Sequence, residues 1–118
     1  MVDFNKYPHV FSPIQVGTMT LKNRIQFSPM ICALETPSGE ITQEYIDWIA
    51  QQARTGASLI TIGGTSIDHE TGDDFESEID VTTDMNVVGL KRLADEAHYR
   101  GAKISIELVH AGRGAMPR

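Results

Sequence analysis

Three short runs hold the residues that could do chemistry: Ser28-Pro29-Met30-Ile31-Cys32, then Gly63-Gly64, then Glu107-Leu108-Val109-His110-Ala111-Gly112-Arg113. Each follows or ends an apolar segment. Proline has no N–H for a strand ladder, so Pro29 must stop the strand that Arg24-Ile25-Gln26-Phe27 begins. A strand stopped in this way exposes backbone groups at its carboxyl edge, which is where open and closed α/β sheets build their sites. Glycine at a strand edge lets a planar group come close to the backbone, and a turn that needs positive φ accounts for a glycine equally well. His110 could donate a proton or bind substrate, or be a packed hydrogen-bonding residue at a strand end. Arg113 offers a guanidinium suited to a carboxylate or another anion. Cys32, the single cysteine of the chain, reads either as a small buried hydrophobe or as a functional thiol.

The elements that must position these runs follow from periodicity and punctuation. Residues 1–13 read as an irregular arm whose Phe4, Tyr7, Val10 and Phe11 pack against something larger. Ile14-Gln15-Val16 and Met19-Thr20-Leu21 flank Gly17-Thr18, the pattern of a tight hairpin. A first buried strand spans 24–27, with Arg24 at its far end suited to a structural ion pair. A loop over 31–41 contains the turn signal Pro37-Ser38-Gly39. Thr42 N-caps a helix in which Tyr45, Trp48, Ile49 and Ala53 recur at helical spacing until Gly56 stops it. A second strand spans 57–62 and an acidic loop 67–80. A second helix starts near Asp84, turns Val87, Leu90, Leu93, Ala94 and Ala97 inward, and ends at Gly101. The third strand is 103–109. Strand, helix, strand, helix, strand with glycine punctuation implies parallel strands joined by right-handed crossovers. On this pattern alone a barrel and a doubly wound sheet stay open.

Composition narrows the function class. The chain has 118 residues, 41% of them hydrophobic, and a formal charge of −6. That charge argues against nucleic-acid binding, which needs clustered Lys and Arg. One cysteine excludes an intrachain disulfide and any Cys-rich zinc spacing, so a reducing, cytoplasmic setting is expected. The first ten residues, broken by Asp3, Asn5, Lys6 and Pro8, offer no apolar core for a signal peptide or membrane span. Asp68, His69, Glu70, Asp73, Asp74, Glu76, Glu78 and Asp80 crowd one loop without the ordered spacing of a calcium loop, and are expected to be solvated and to bind no metal.

In order and spacing, Leu21-Lys22-Asn23-Arg24-Ile25 with Ser28-Pro29-Met30, Gly63-Gly64 behind a strand, and the run from Glu107 to Arg113 make the chain resemble the old yellow enzyme family of FMN-dependent ene-reductases, including 2,4-dienoyl-CoA and enoate reductases. The resemblance implies an α/β fold of the TIM (β/α)8 type. Such a barrel takes roughly 250 residues. Residues 1–118 are therefore expected to be the N-terminal portion of a single FMN-binding barrel domain: about three βα units and a hairpin that caps its closed end, the remainder being absent from this chain. It also implies FMN as cofactor and NAD(P)H as reductant, with hydride passing from flavin N5 to an activated alkene and a proton to its α-carbon.

Carried over by position, the backbone of Pro29, Met30 and Ile31 lies along the N5/O4 edge of the flavin, and Gly64 lies on the O4 side. Glu107 stands where the family commonly has a glutamine pairing with flavin N3–H and O2. The chain departs from its relatives at two points. Many carry Thr or Cys second after the proline; here that residue is Ile31, so either the tuning contact is absent or the loop brings Cys32 to the flavin or the substrate. An ionised Glu107 would oppose negative charge on the reduced ring, so it is expected to keep its proton or to be neutralised by a cation such as Arg113. Arg113 is also a candidate substrate ligand.

In the family the catalytic tyrosine, the substrate-carbonyl ligands and the FMN phosphate site lie on later strands. An iron-sulfur cluster and FAD belong only to longer forms. By itself the chain is expected to be inactive, its open edges covered by the rest of the barrel or by self-association. Two rival readings share the same rhythm of elements: a non-flavin barrel enzyme such as an aldolase or isomerase, and a noncatalytic truncated protein that self-associates.

Overall fold

The structure, a computed structural model, describes residues 3–116 and only the backbone of Phe4; the packing expected of the Phe4 side chain lies outside the described residues, as do Met1 and Val2. Tyr7 and Val10 of the arm are exposed and Phe11 is half-buried, so little of the expected arm packing is found within the chain. Strands β1 (Ile14–Val16) and β2 (Met19–Leu21) pair antiparallel around Gly17, whose φ of 58° supplies the turn.

Strand β3 (Gln26–Phe27) is shorter than the expected 24–27. Side chains take over the hydrogen bonds that a longer ladder would make. Asn23 accepts the Ile25 N–H at 3.0 Å and donates to the Gly56 carbonyl at 2.8 Å, while the Ser58 hydroxyl donates to the Asn23 carbonyl at 2.8 Å. Arg24, expected in an ion pair, donates instead to the Ser12 hydroxyl at 3.2 Å and forms no ion pair among the described residues.

Helix α1 (Gln43–Arg54) begins where the Thr42 hydroxyl accepts the Tyr45 N–H and ends at Gly56, with φ 90°. Strand β4 (Leu59–Ser66) continues four residues beyond the expected end and contains both glycines. Strand β5 (Ile79–Asp80) is an element that the acidic-loop reading did not foresee. Helix α2 (Val87–Tyr99) is preceded by a 3-10 turn at Asp84–Asn86, and strand β6 (Lys103–Val109) follows. The partners of β4 are all parallel to it. β6 runs along one edge; β3, at Leu59 and Ile60, and β5, at Thr65 and Ser66, share the other.

The two faces of this sheet differ. Ile60 and Ile62 pack with Tyr45, Ile46, Ile49 and Ala53 of α1 and with Leu93 and Ala97 of α2, and the Phe27 ring meets Trp48 edge-on at 5.3 Å. Each fully buried isoleucine or leucine of this set contributes roughly 1.5–3 kcal/mol. On the face away from the helices a polar row crosses three strands: the Gln26 amide donates to Thr61 Oγ1 at 2.9 Å, and Thr61 and Ser105 hydroxyls meet at 2.8 Å.

This is a partial (β/α)8 architecture with no closed barrel among the described residues. β6 pairs only with β4. Leu90 and Ala94 line an open groove of about 270 Å³ with Ile62, Ile104 and Ile106, so they are only half covered. Val87, expected inward, is 56% exposed because it opens α2 on the solvent side. No helix among the described residues is long and apolar enough to cross a membrane.

Candidate functional site

The ends of β3, β4 and β6 meet at a β-bulge. Ile62 is opposite Ile106 and Thr65 is opposite Leu108, so the single residue Glu107 faces the pair Gly63-Gly64. The chain leaving β3 crosses this point. A methyl group added at Gly63 would lie 2.4 Å from the carbonyl carbon and oxygen of Met30, and one at Gly64 would lie 2.9 Å from Glu78 Oε1 and 3.0 Å from the side chain of Ile31. Neither glycine has positive φ. The turn explanation is therefore set aside in favour of space: Gly63 makes room for a crossing backbone, Gly64 for a buried carboxyl group and an isoleucine.

Met30, Ile31, Gly64 and Glu107 are thus brought together, with Pro29 exposed beside them. Met30 is 49% exposed. Outside the strand ladders, neither the Met30 nor the Ile31 N–H donates to another described group. Two backbone donors at a strand end, held by a crossing that cannot shift, can serve an acceptor edge of a bound ring. Glu107 is exposed, because Ile104 and Ile106 face the helices and Glu107 faces the open side. Glu107 and Arg113 form no ion pair; Arg113 stands exposed in the turn Gly112–Gly114.

Cys32 turns the other way. It packs against the core cluster beside Tyr45 and Glu35, and burial pushes its thiol up, as burial and the neighbouring Cys32 push the Tyr45 hydroxyl up. A protonated, half-buried thiol is a poor nucleophile, so this placement favours the small-hydrophobe reading of Cys32. His110 accepts the Gly112 N–H on Nδ1 at 3.0 Å, its ring packs against Gly72, and Nε2 lies 3.8 Å from Asp68 Oδ2. The Thr71 hydroxyl and N–H hold the Asp68 carboxyl below its ordinary value, with a smaller contribution from His110. These contacts make His110 a brace between the β4 loop and the segment after β6.

The acidic loop departs most from expectation. Asp73, Glu78 and Asp80 are buried, not solvated. Asp73 accepts from the buried Ser66 hydroxyl and has His69 Nδ1 at 2.8 Å; its carbonyl accepts the Met116 N–H at 2.8 Å. Glu78 is 1% exposed, and among the described residues Asp74 is the neighbour that approaches its oxygens, at no better than marginal hydrogen-bond geometry. Burial first, then Asp74 and Asp73, push its carboxyl up to about 7. No sequence signal separated this glutamate from its seven acidic or histidine neighbours. No cluster of three or more potential metal ligands occurs among the described residues.

Residues 9–117 match the NADH:flavin oxidoreductase / NADH oxidase family. The chain is 42% identical over 106 residues to a metal reductase of Desulforamulus reducens, covering 90% of this chain and 15% of that protein. It is 37% identical over 108 residues to an NADPH dehydrogenase of Listeria monocytogenes, covering 91% of this chain and 32% of that one. Among solved structures, the old yellow enzyme from Pichia sp. AKU4542 superposes with a TM-score of 0.82 at 29% identity, covering 91% of this chain and 28% of its own. The chain therefore spans less than a third of the length of each of these proteins.

Two outcomes are expected from this geometry. Gly63→Ala should destabilise the fold by more than about 1–3 kcal/mol, because backbone must move, and by more than Gly64→Ala, where side chains can yield; equal shifts in urea midpoint would contradict the crossing. Glu78 keeps its proton to about pH 7 when folded but releases it near 4.5 when unfolded, so the stability it contributes is complete below 4.5 and is lost as pH rises through 7. Glu78→Gln should thus gain on the parent by up to about 3 kcal/mol across that window. Parallel stability curves would rule this out.

Proposed function

The chain belongs to the NADH:flavin oxidoreductase / NADH oxidase family, and on that premise we propose that the protein binds FMN at the ends of β3, β4 and β6 and moves hydride from NAD(P)H through it to an activated C=C bond. The supporting observation is the bulge, where Met30 crosses Gly63 opposite Glu107. FMN, when bound, supplies the hydride acceptor and donor. The donor set fits it: the fixed N–H groups of Met30 and Ile31 suit an electron-rich ring edge without reorganising, with Pro29 lining the approach and the Gly64 backbone at the base.

Glu107 is the residue of this site that faces the open side from β6. As an acceptor it suits a ring N–H, and when charged it opposes electrons added nearby. Arg113, exposed and without an ion-pair partner among the described residues, is the candidate ligand for an anionic substrate group, while Cys32 packs toward the core. Proton transfer to substrate is assigned to residues beyond 118. His110 already braces two loops. Residues 1–118 form the first part of one barrel domain on this reading, and the open β6 edge is where the remainder docks.

The test is purification of the full-length protein. It is expected to carry the visible absorbance of bound flavin, to lose it anaerobically with NADH or NADPH, and to regain it with an enone or a 2-enoyl thioester; residues 1–118 alone should reduce neither. A colourless, flavin-free protein would end the proposal, and flavin reoxidised only by oxygen or metal ions would remove its alkene part. Glu107→Gln should raise the flavin reduction potential by deleting a negative charge next to the ring. An unchanged potential would place Glu107 away from it.

A further inference from the structure

Glu78 has no role in the site as described so far, yet its carboxyl is directed at it. One oxygen lies 2.9 Å from where a Gly64 side chain would begin, with the Ile31 side chain against the same point. The group is almost wholly buried, and among the described residues only Asp74 approaches it, without forming a well-aligned hydrogen bond. Burying a poorly satisfied polar group is costly, and here the cost is borne immediately behind the strand end that backs the candidate ring site.

The groups facing Glu78 are acidic or apolar. Its own loop contributes Asp74 and Asp73, the latter bonded to Ser66 and close to His69. From the segment after β3 come Ile31 and Glu35, whose carboxylate already takes the neighbouring Ser77 hydroxyl at 2.8 Å. The 36–39 turn places Gly39 against the Glu78 carbonyl. β5 contributes Asp80, which accepts the Thr82 N–H at 2.7 Å. β4 offers no charge at Gly64. Beyond Asp68 and Gly72, His110 is the nearest brace of this loop. No cation pairs with Glu78 among the described residues. A carboxyl so placed favours its protonated form, and it responds to charge that appears on the far side of Gly64, since burial weakens solvent screening between the two.

We propose that Glu78 is a positioning residue that holds a proton behind Gly64 and takes it up in step with reduction of the redox group bound at the bulge. This rests on the FMN reading and goes beyond it. The balance is simple: the electrons come from the reductant, the additional proton comes from solvent, and the only bond formed in the protein is O–H on the Glu78 carboxylate. Added negative charge on the ring raises the proton affinity of Glu78, and by linkage a protonated Glu78 favours the reduced state.

The experiment is proton counting. The FMN-loaded full-length protein and its Glu78→Gln variant are reduced anaerobically with dithionite in weakly buffered indicator solution at several pH values, and infrared difference spectra of the unaltered protein are recorded alongside. Above neutral pH the unaltered protein is expected to take up as much as one more proton per flavin than the variant. That difference should disappear at a pH where Glu78 is protonated in both redox states, and a protonated-carboxyl band should grow on reduction. Equal uptake at every pH, or no change in the carboxyl band, with flavin bound, would overturn the assignment alone. Absence of bound flavin would overturn both it and the reading beneath it.

Discussion

The passage of the Met30 backbone across Gly63 is the constraint from which the rest of this molecule follows. It requires a residue without a side chain in the middle of a strand. The bulge absorbs the extra residue on β4, so that Glu107 alone faces Gly63 and Gly64. Three strand ends separated by dozens of residues are thereby locked to within one side-chain length of each other. A site that holds a rigid ring needs that kind of fixed backbone more than it needs particular side chains.

Behind the crossing lies an unusual concentration of buried carboxylates. Asp73, Glu78 and Asp80 are enclosed by a loop whose own backbone is tied to the segment after β6: Ala111 donates to the Gly72 carbonyl and Met116 to that of Asp73. Hydrogen bonds satisfy Asp73 and Asp80, which is the ordinary way for such groups to be tolerated inside a protein. Glu78, which has only the marginal approach of Asp74 among the described residues, is the least well satisfied, and it lies against Gly64.

The fold is also visibly incomplete as a hydrophobic object. Leu90 and Ala94 share an open groove with Ile62, Ile104 and Ile106, and among the described residues β6 has no strand partner besides β4. The chain spans less than a third of the relatives described above. The groove and the edge lie where a further strand and helix of a barrel would pack, and the polar row of Gln26, Thr61 and Ser105 lies on the side such a barrel would enclose.

Local pattern by itself determined a great deal here. The hairpin around Gly17, the Thr42 cap, the glycine stops at Gly56 and Gly101, and the full extent of β6 are short-range effects, readable from residues a few positions apart. The order of the Ser-Pro-Met, Gly-Gly and Glu-to-Arg runs was also enough to point to the family. What only the tertiary structure decided depends on residues far apart in the chain. The meaning of Gly63 and Gly64 is set by Met30 and Glu78, the shortness of β3 by Asn23 and Ser58, the exposure of Glu107 by which face the helices cover, and the burial of Glu78 by Ile31 and the acidic loop folding over it. Each is a question of which surfaces meet, and a one-dimensional pattern of polarity carries no record of a contact made across forty residues.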